Sequence, residues 1–143
     1  MATTKILNKT ININAPTSKV WHALTNPDVI KEWLFGTKVI SDWKVGSQIL
    51  FTGNWQGTDY ADKGTILKFD IEKVFQYNYW SGFSGLTDSP ENYSVITFEL
   101  TQNGNTTILT LTQQSDFANE TMIEHSEKNW DTTLDLLKKI IER

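Results

Sequence analysis

An α+β fold, a curved sheet of six to seven antiparallel strands wrapped around one long C-terminal helix, is predicted by three features of this 143-residue sequence. Apolar residues alternate with polar ones over most of residues 6–113, the period of half-buried strands. Between the first strand and the rest, the segment from Ile13 to Trp33 carries two short helices in close succession. The last part of the chain, about Asn119 to Ile141, returns to helical spacing and has no competing strand pattern.

The elements follow in order. Residues 6–13 alternate, with Ile11 and Ile13 on one side and Thr10, Asn12 and Asn14 on the other. Pro16 suits a first helical turn, where its missing N–H costs nothing, and Val20, Trp21 and Leu24 share a side of the helix it opens. Asn26-Pro27 stops that helix and starts a second, over 28–33, that ends at Trp33. A brief strand at Val39-Ile40 precedes a turn at Lys44-Val45-Gly46. The strand 48–55 places Ile49, Phe51, Gly53 and Trp55 on one face, and Gly57-Thr58-Asp59 is read as the hairpin turn after it. Residues 64–71 then group Leu67, Phe69 and Ile71, and residues 74–80 group Phe75, Tyr77 and Tyr79.

A glycine- and serine-rich loop, 81–90, separates these from two further strands. The first, 93–101, carries Ile96, Phe98 and Leu100 on one face; the second, 107–113, carries Thr107, Leu109, Leu111 and Gln113. Asn103-Gly104 between them is a strong hairpin signal, so the two should pair. On the final helix, Glu120, Glu124 and Glu127 lie toward the start and Lys138, Lys139 and Arg143 toward the end, as the helix dipole favours. No other element is long enough to cover the apolar strand faces.

Composition narrows the function classes. With no cysteine, disulfides, thiolate nucleophiles and sulfur-ligated metals are excluded. The net charge of −4 and the scattered lysines leave no basic footprint for nucleic acid. The N-terminus has no apolar run of signal-peptide type and no segment reaches the length of a membrane span, which leads to the expectation of a cytoplasmic protein. His22 and His125 lie far apart on helix surfaces, Asp59 and Asp62 flank Tyr60 near the expected hairpin tip, and no phosphate loop, dinucleotide fingerprint or nucleophile elbow occurs. The residues nominate no catalytic group, no metal site and no cofactor.

The helix face is more informative. At about 100° per residue, Ile123, Trp130, Leu134, Leu137 and Ile141 form one stripe, with Asn119, Ser126 and Thr133 in or beside it. The stripe is apolar toward the C-terminus and mixed toward the N-terminus. Either the first turns extend past the sheet into water, or they roof a cavity whose floor is packed by the C-terminal half. Trp130 sits at the junction and is the expected central anchor, with a cost of about 3–5 kcal/mol for its removal. Gln113 points inward by alternation, or else frays at its strand end. Phe83 and Leu86 in the long loop are lid candidates, or anchors that tack the loop to the sheet. Seventeen aromatic residues are a bulky core or the walls of a pocket.

The opening segment Ile13-Asn14-Ala15-Pro16 through Trp33 resembles the helix-grip domains of the START-like (SRPBCC) superfamily, in particular the Aha-type branch named for activators of the heat-shock protein 90 ATPase. Val45-Gly46-Ser47, Gly64-Thr65-Ile66, Phe75-x-Tyr77-x-Tyr79, Thr107-x-Leu109-x-Leu111 and Asn129-Trp130 with Leu134 and Leu137 extend the resemblance over the whole chain, 1–143, as one domain. It implies binding of an apolar or aromatic small molecule, lipid-like or polyketide-like, in a cavity between sheet and helix, without catalysis or with weak catalysis. Trp55, Phe69, Tyr77, Tyr79, Phe98, Gln113, Ser126 and Trp130 are the lining candidates. The family name implies a chaperone as a second kind of partner and a stress-response role. Relatives that are cyclases or hydrolases imply catalysis in the same cavity as a third reading.

Overall fold

The structure is a computed structural model and describes residues 4–82 and 85–143, with Trp55 described by its backbone alone. Its elements run β1 (Lys5–Ile13), α1 (Thr17–Thr25), α2 (Pro27–Trp33), β2 (Lys38–Ser41), β3 (Gln48–Trp55), β4 (Thr58–Asp70), β5 (Val74–Tyr79), β6 (Ser94–Asn103), β7 (Thr106–Ser115) and α3 (Glu120–Glu142). The seven strands form one sheet in the order β1-β7-β6-β5-β4-β3-β2, with every neighbouring pair antiparallel. Among the described residues no helix is long and apolar enough to cross a membrane.

The two short helices are set by their punctuation. Pro16 lies just outside α1, its carbonyl accepting from Lys19 and Val20, so the helix starts one residue later than the proline suggested. Asn26 caps α2 by accepting the Asp28 N–H at 2.9 Å, with Pro27 preset in the first turn. Trp33 locks the pair together: its indole N–H donates to the Ala23 carbonyl at 2.8 Å and its ring meets Phe98 edge-on. Val20, Trp21, Leu24, Ile30 and Trp33 are all buried by this packing.

The β3–β4 hairpin is tighter than the sequence suggested. Its turn is Gln56-Gly57, at φ 51° and 85°, the pair of positive φ values that a two-residue turn of matching twist needs. Thr58 and Asp59 therefore already belong to β4, which runs for 13 residues. A register shift between Ile66 and Lys68 then changes the strand's phase. Ile66 is fully buried, Leu67 and Ile71 are 37% and 63% exposed, and Phe69 turns back inward opposite Phe75. The expected grouping of Leu67, Phe69 and Ile71 on one face fails twice: at this bulge, where an extra residue puts Leu67 and Phe69 out of phase, and past Asp70, where β4 ends and Ile71 lies in the turn.

α3 crosses the concave face unevenly. Thr133, Leu134, Leu137 and Ile141 are buried against the sheet, whereas Ile123, Ser126 and Trp130 are only partly covered. The core below is aromatic: Phe75 lies 5.8 Å from Phe69, 5.9 Å from Trp43 and 6.3 Å from Phe98, centroid to centroid. Thr107, fully buried, donates to the Ala15 carbonyl at 2.8 Å and fastens β7 beneath the start of α1.

Candidate functional site

Where α3 lifts from the sheet, a cavity of about 770 Å³ opens between its N-terminal half, the α2–β2 connection and the inward faces of the central strands. That volume lies within the range that holds drug-sized ligands. Phe51, Tyr77, Tyr79, Ile96 and Trp130 supply its aromatic and apolar walls. Leu34, Phe35 and Thr37 form its rim on the α2 side, and Phe35, 64% exposed at φ 54°, projects there from left-handed backbone. A second void of about 20 Å³, lined by Trp33, Phe75 and Phe98 among others, lies in the packed core and has Trp130 as a shared wall.

Polar groups gather at two places on the wall. On the α3 side, the Trp130 indole N–H donates to Gln113 Oε1 at 2.7 Å, and Gln113 Nε2 donates to Ser126 Oγ at 3.3 Å. Gln113 is thus inward and held, and its amide orientation is set by both partners. On the sheet side, the Tyr79 hydroxyl donates to Asp62 Oδ2 at 2.5 Å, and the Gly82 N–H donates to Asp62 Oδ1 at 3.2 Å. Asp62 is only 6% exposed. Burial pushes the Tyr77 and Tyr79 phenols far up from their ordinary value, and the neighbouring Asp62 pushes Tyr79 further. Both stay protonated near neutral pH, as hydrogen-bond donors rather than bases.

Tyr60 and Thr37 bridge the rim through a 2.7 Å hydroxyl–hydroxyl contact. Gly53, the register partner of Tyr60, makes room for this: a Cβ there would lie 2.5 Å from Tyr60 Oη. The glycine lets the phenol lie flat across β3 and reach the α2–β2 connection.

Five of the eight lining candidates come together on the cavity: Tyr77, Tyr79, Gln113, Ser126 and Trp130. Phe69 does not reach it. The β4 bulge aims its ring at Trp21, 5.2 Å away, on the α1 side of the core. Phe98 is 1% exposed and faces the small core void instead, between Phe75 and Trp130. The side chain of Trp55 and the whole of Phe83 lie outside the described residues. Leu86 is half-buried beside Trp80, whose indole donates to its carbonyl at 3.2 Å, and is not on the cavity wall.

Sequence reasoning missed Asp62, Tyr60 and Thr37. The signal for Asp62 was present: Asp62, Gly64 and Ile66 alternate with the buried face once β4 is extended back through Thr58. Assigning Asp59 and Asp62 to a solvated hairpin tip concealed it. Trp130 stands on the cavity wall as a lining residue, but it is not the central anchor expected of it: the fully packed anchors of α3 are Leu134, Leu137 and Ile141.

The family model for activator of Hsp90 ATPase homolog 1-like proteins matches residues 14–142. None of the curated proteins matches the sequence. Among solved structures, ChR145 from Cytophaga hutchinsonii is 46% identical with a TM-score of 0.85, over 99% of this chain and 96% of that one. The Aha1 dimer from Colwellia psychrerythraea is 23% identical with a TM-score of 0.75, over 96% of both chains. DynU16, a protein of the dynemicin biosynthetic locus, is 14% identical with a TM-score of 0.79, over 96% of this chain and 47% of its own. The last two likenesses are of fold. With its strand–helix–helix opening, seven-stranded sheet and roofing C-terminal helix, the chain belongs to the family of activator of Hsp90 ATPase homolog 1-like proteins.

Proposed function

We propose that this protein binds an apolar or aromatic small molecule, lipid-like or polyketide-like, in the cavity between the sheet and the N-terminal half of α3, without catalysis or with weak catalysis. The observation that carries this reading is the cavity itself: about 770 Å³ of space, walled by Phe51, Tyr77, Tyr79, Ile96 and Trp130 and furnished with a few fixed polar groups. Such a combination gives apolar contact for affinity and hydrogen bonds for orientation.

The test has two parts. Mass spectrometry of the protein recovered gently from its native cells should reveal a co-purifying small molecule. A panel of hydrophobic ligands, followed by tryptophan fluorescence and thermal shift, should give saturable binding that Ser126→Trp abolishes. Absence of saturable binding across the panel would overturn the proposal. The family description favours a second reading, regulation of a chaperone ATPase. Stimulation of the cognate chaperone that persists undiminished in Ser126→Trp would support that role over ligand binding.

A further inference from the structure

Asp62 occupies an unusual place in this cavity. Among the described residues it is the only acidic or basic side chain on the lining, and it is 94% covered although it belongs to a strand. The neighbouring basic residue, Lys63, is on the opposite face of β4, where it pairs with Asp88 at 2.5 Å and lies over the Trp80 ring. No lysine or arginine lines the cavity to balance the Asp62 carboxyl among the described residues.

Its hydrogen bonds show what it offers. Asp62 accepts at both oxygens, from the Tyr79 hydroxyl and from the Gly82 N–H. The two oxygens of a carboxylate provide about four acceptor positions, so two described donors leave room for a third. Tyr79 also holds the group in place: β4 and β5 are bridged at Lys63 and Trp80, and the Tyr79 ring reaches back across that pair to the carboxyl. The opposite wall is neutral. Gln113 there is engaged by Trp130 and Ser126, and it lies on β7, three strand positions from β4.

Resting on the ligand-binding reading above, we infer that Asp62 selects a hydrogen-bond-donating aromatic ligand, a phenol or an amine, and rejects carboxylates and other anions. A donor from the ligand completes the carboxylate's acceptor shell, and charge-assisted hydrogen bonds of this kind are roughly twice as strong as neutral ones. An anion placed in the same poorly solvated space meets a like charge with no cation to offset it. The lipid-like class is thereby narrowed: a free fatty acid or an anionic phospholipid is disfavoured, and a hydroxylated aromatic is favoured.

Three probes of one ring system test this: 2-naphthol, 2-methoxynaphthalene and 2-naphthoate, titrated calorimetrically at neutral pH into the wild-type protein and Asp62→Asn. In the wild type, 2-naphthol should bind at least about tenfold more tightly than either of the others. In Asp62→Asn the gap between naphthol and naphthoate should shrink by a similar factor, with 2-methoxynaphthalene unchanged. Naphthoate binding as well as naphthol in the wild type, or an unaltered order in the variant, overturns the inference and leaves the cavity reading in place. No binding of any probe removes the cavity reading and this inference with it. Should Asp62→Asn fail to fold, as judged by its thermal transition, the ranking in the wild type decides alone.

Discussion

Gly64→Ala should be among the most damaging single substitutions in this fold, although it adds only one methyl group. A Cβ at residue 64 would lie 1.7 Å from the Asn78 carbonyl oxygen and 2.7 Å from its carbon, where ordinary contact begins near 3.4 Å. The obstacle is backbone, so no rotamer change relieves it. β4 and β5 must move apart by more than 1 Å, roughly a quarter of the spacing between strands. The bonds at risk are Lys63 N–H to Trp80 O at 3.0 Å, Trp80 N–H to Lys63 O at 2.8 Å and Thr65 N–H to Asn78 Oδ1 at 2.6 Å. At about 1 kcal/mol each, their loss amounts to about 3 kcal/mol. The same displacement separates Asp62 from Tyr79, so ligand binding should weaken together with stability. Equilibrium urea denaturation measures the first effect. A cost below about 1 kcal/mol, the size of an ordinary surface change, would show instead that the two strands have slack at this point.

Leu137→Ala should cost about 2–5 kcal/mol by denaturation, because the side chain is fully buried and its removal leaves an enclosed void. Trp130→Ala should cost less, about 2 kcal/mol from its bond to Gln113 and its edge contact with Phe98, since the vacated space opens onto the existing cavity. The reverse order would place the packed half of α3 wrongly. Ser126→Leu should leave the melting temperature nearly unchanged while altering the response to cavity ligands, and a large loss of stability would show that no space exists beside it. The Glu142 carboxyl is held below the usual glutamate range, first by the Asn14 N–H and then by Lys138. A lowered value means the native state resists protonation, so its contribution is present above the unfolded-state value and lost as pH falls through the folded one. Glu142→Gln should accordingly flatten the acid side of the stability–pH curve.

The sequence carried the fold through local signals that few alternatives share. Pro16, Asn26-Pro27 and Trp33 defined two helices because capping and proline geometry act within a few residues. Asn103-Gly104 paired β6 with β7, and Gly104 does sit at the turn with φ 62°. The face of α3 was legible from Leu134, Leu137 and Ile141 for the same reason. What escaped depended on register. The bulge after Ile66 reverses which side chains face inward, and nothing in the alternation of Leu67, Phe69 and Ile71 announces it. The tight turn at Gln56-Gly57 decides whether Asp62 lies at a wet tip or inside the sheet, and glutamine at positive φ is a weak signal. Gln113 and Ser126 were readable as inward, whereas their joint bond to Trp130 depends on how α3 tilts over β7.

On the proposal above, the N-terminal half of α3 roofs a ligand cavity, while its C-terminal half packs Leu134, Leu137 and Ile141 into the core. Nuclear magnetic resonance of the tryptophan indole N–H groups during a titration with 2-naphthol tests it most directly, with the Trp130 signal assigned through Trp130→Phe. Trp130 donates to Gln113 on the cavity wall, whereas Trp33 donates to Ala23 inside the helix pair. A saturable shift of the Trp130 signal is expected, with the Trp33 signal unmoved. Saturable shifts confined to Trp33, or none at Trp130 at saturating probe, would contradict it.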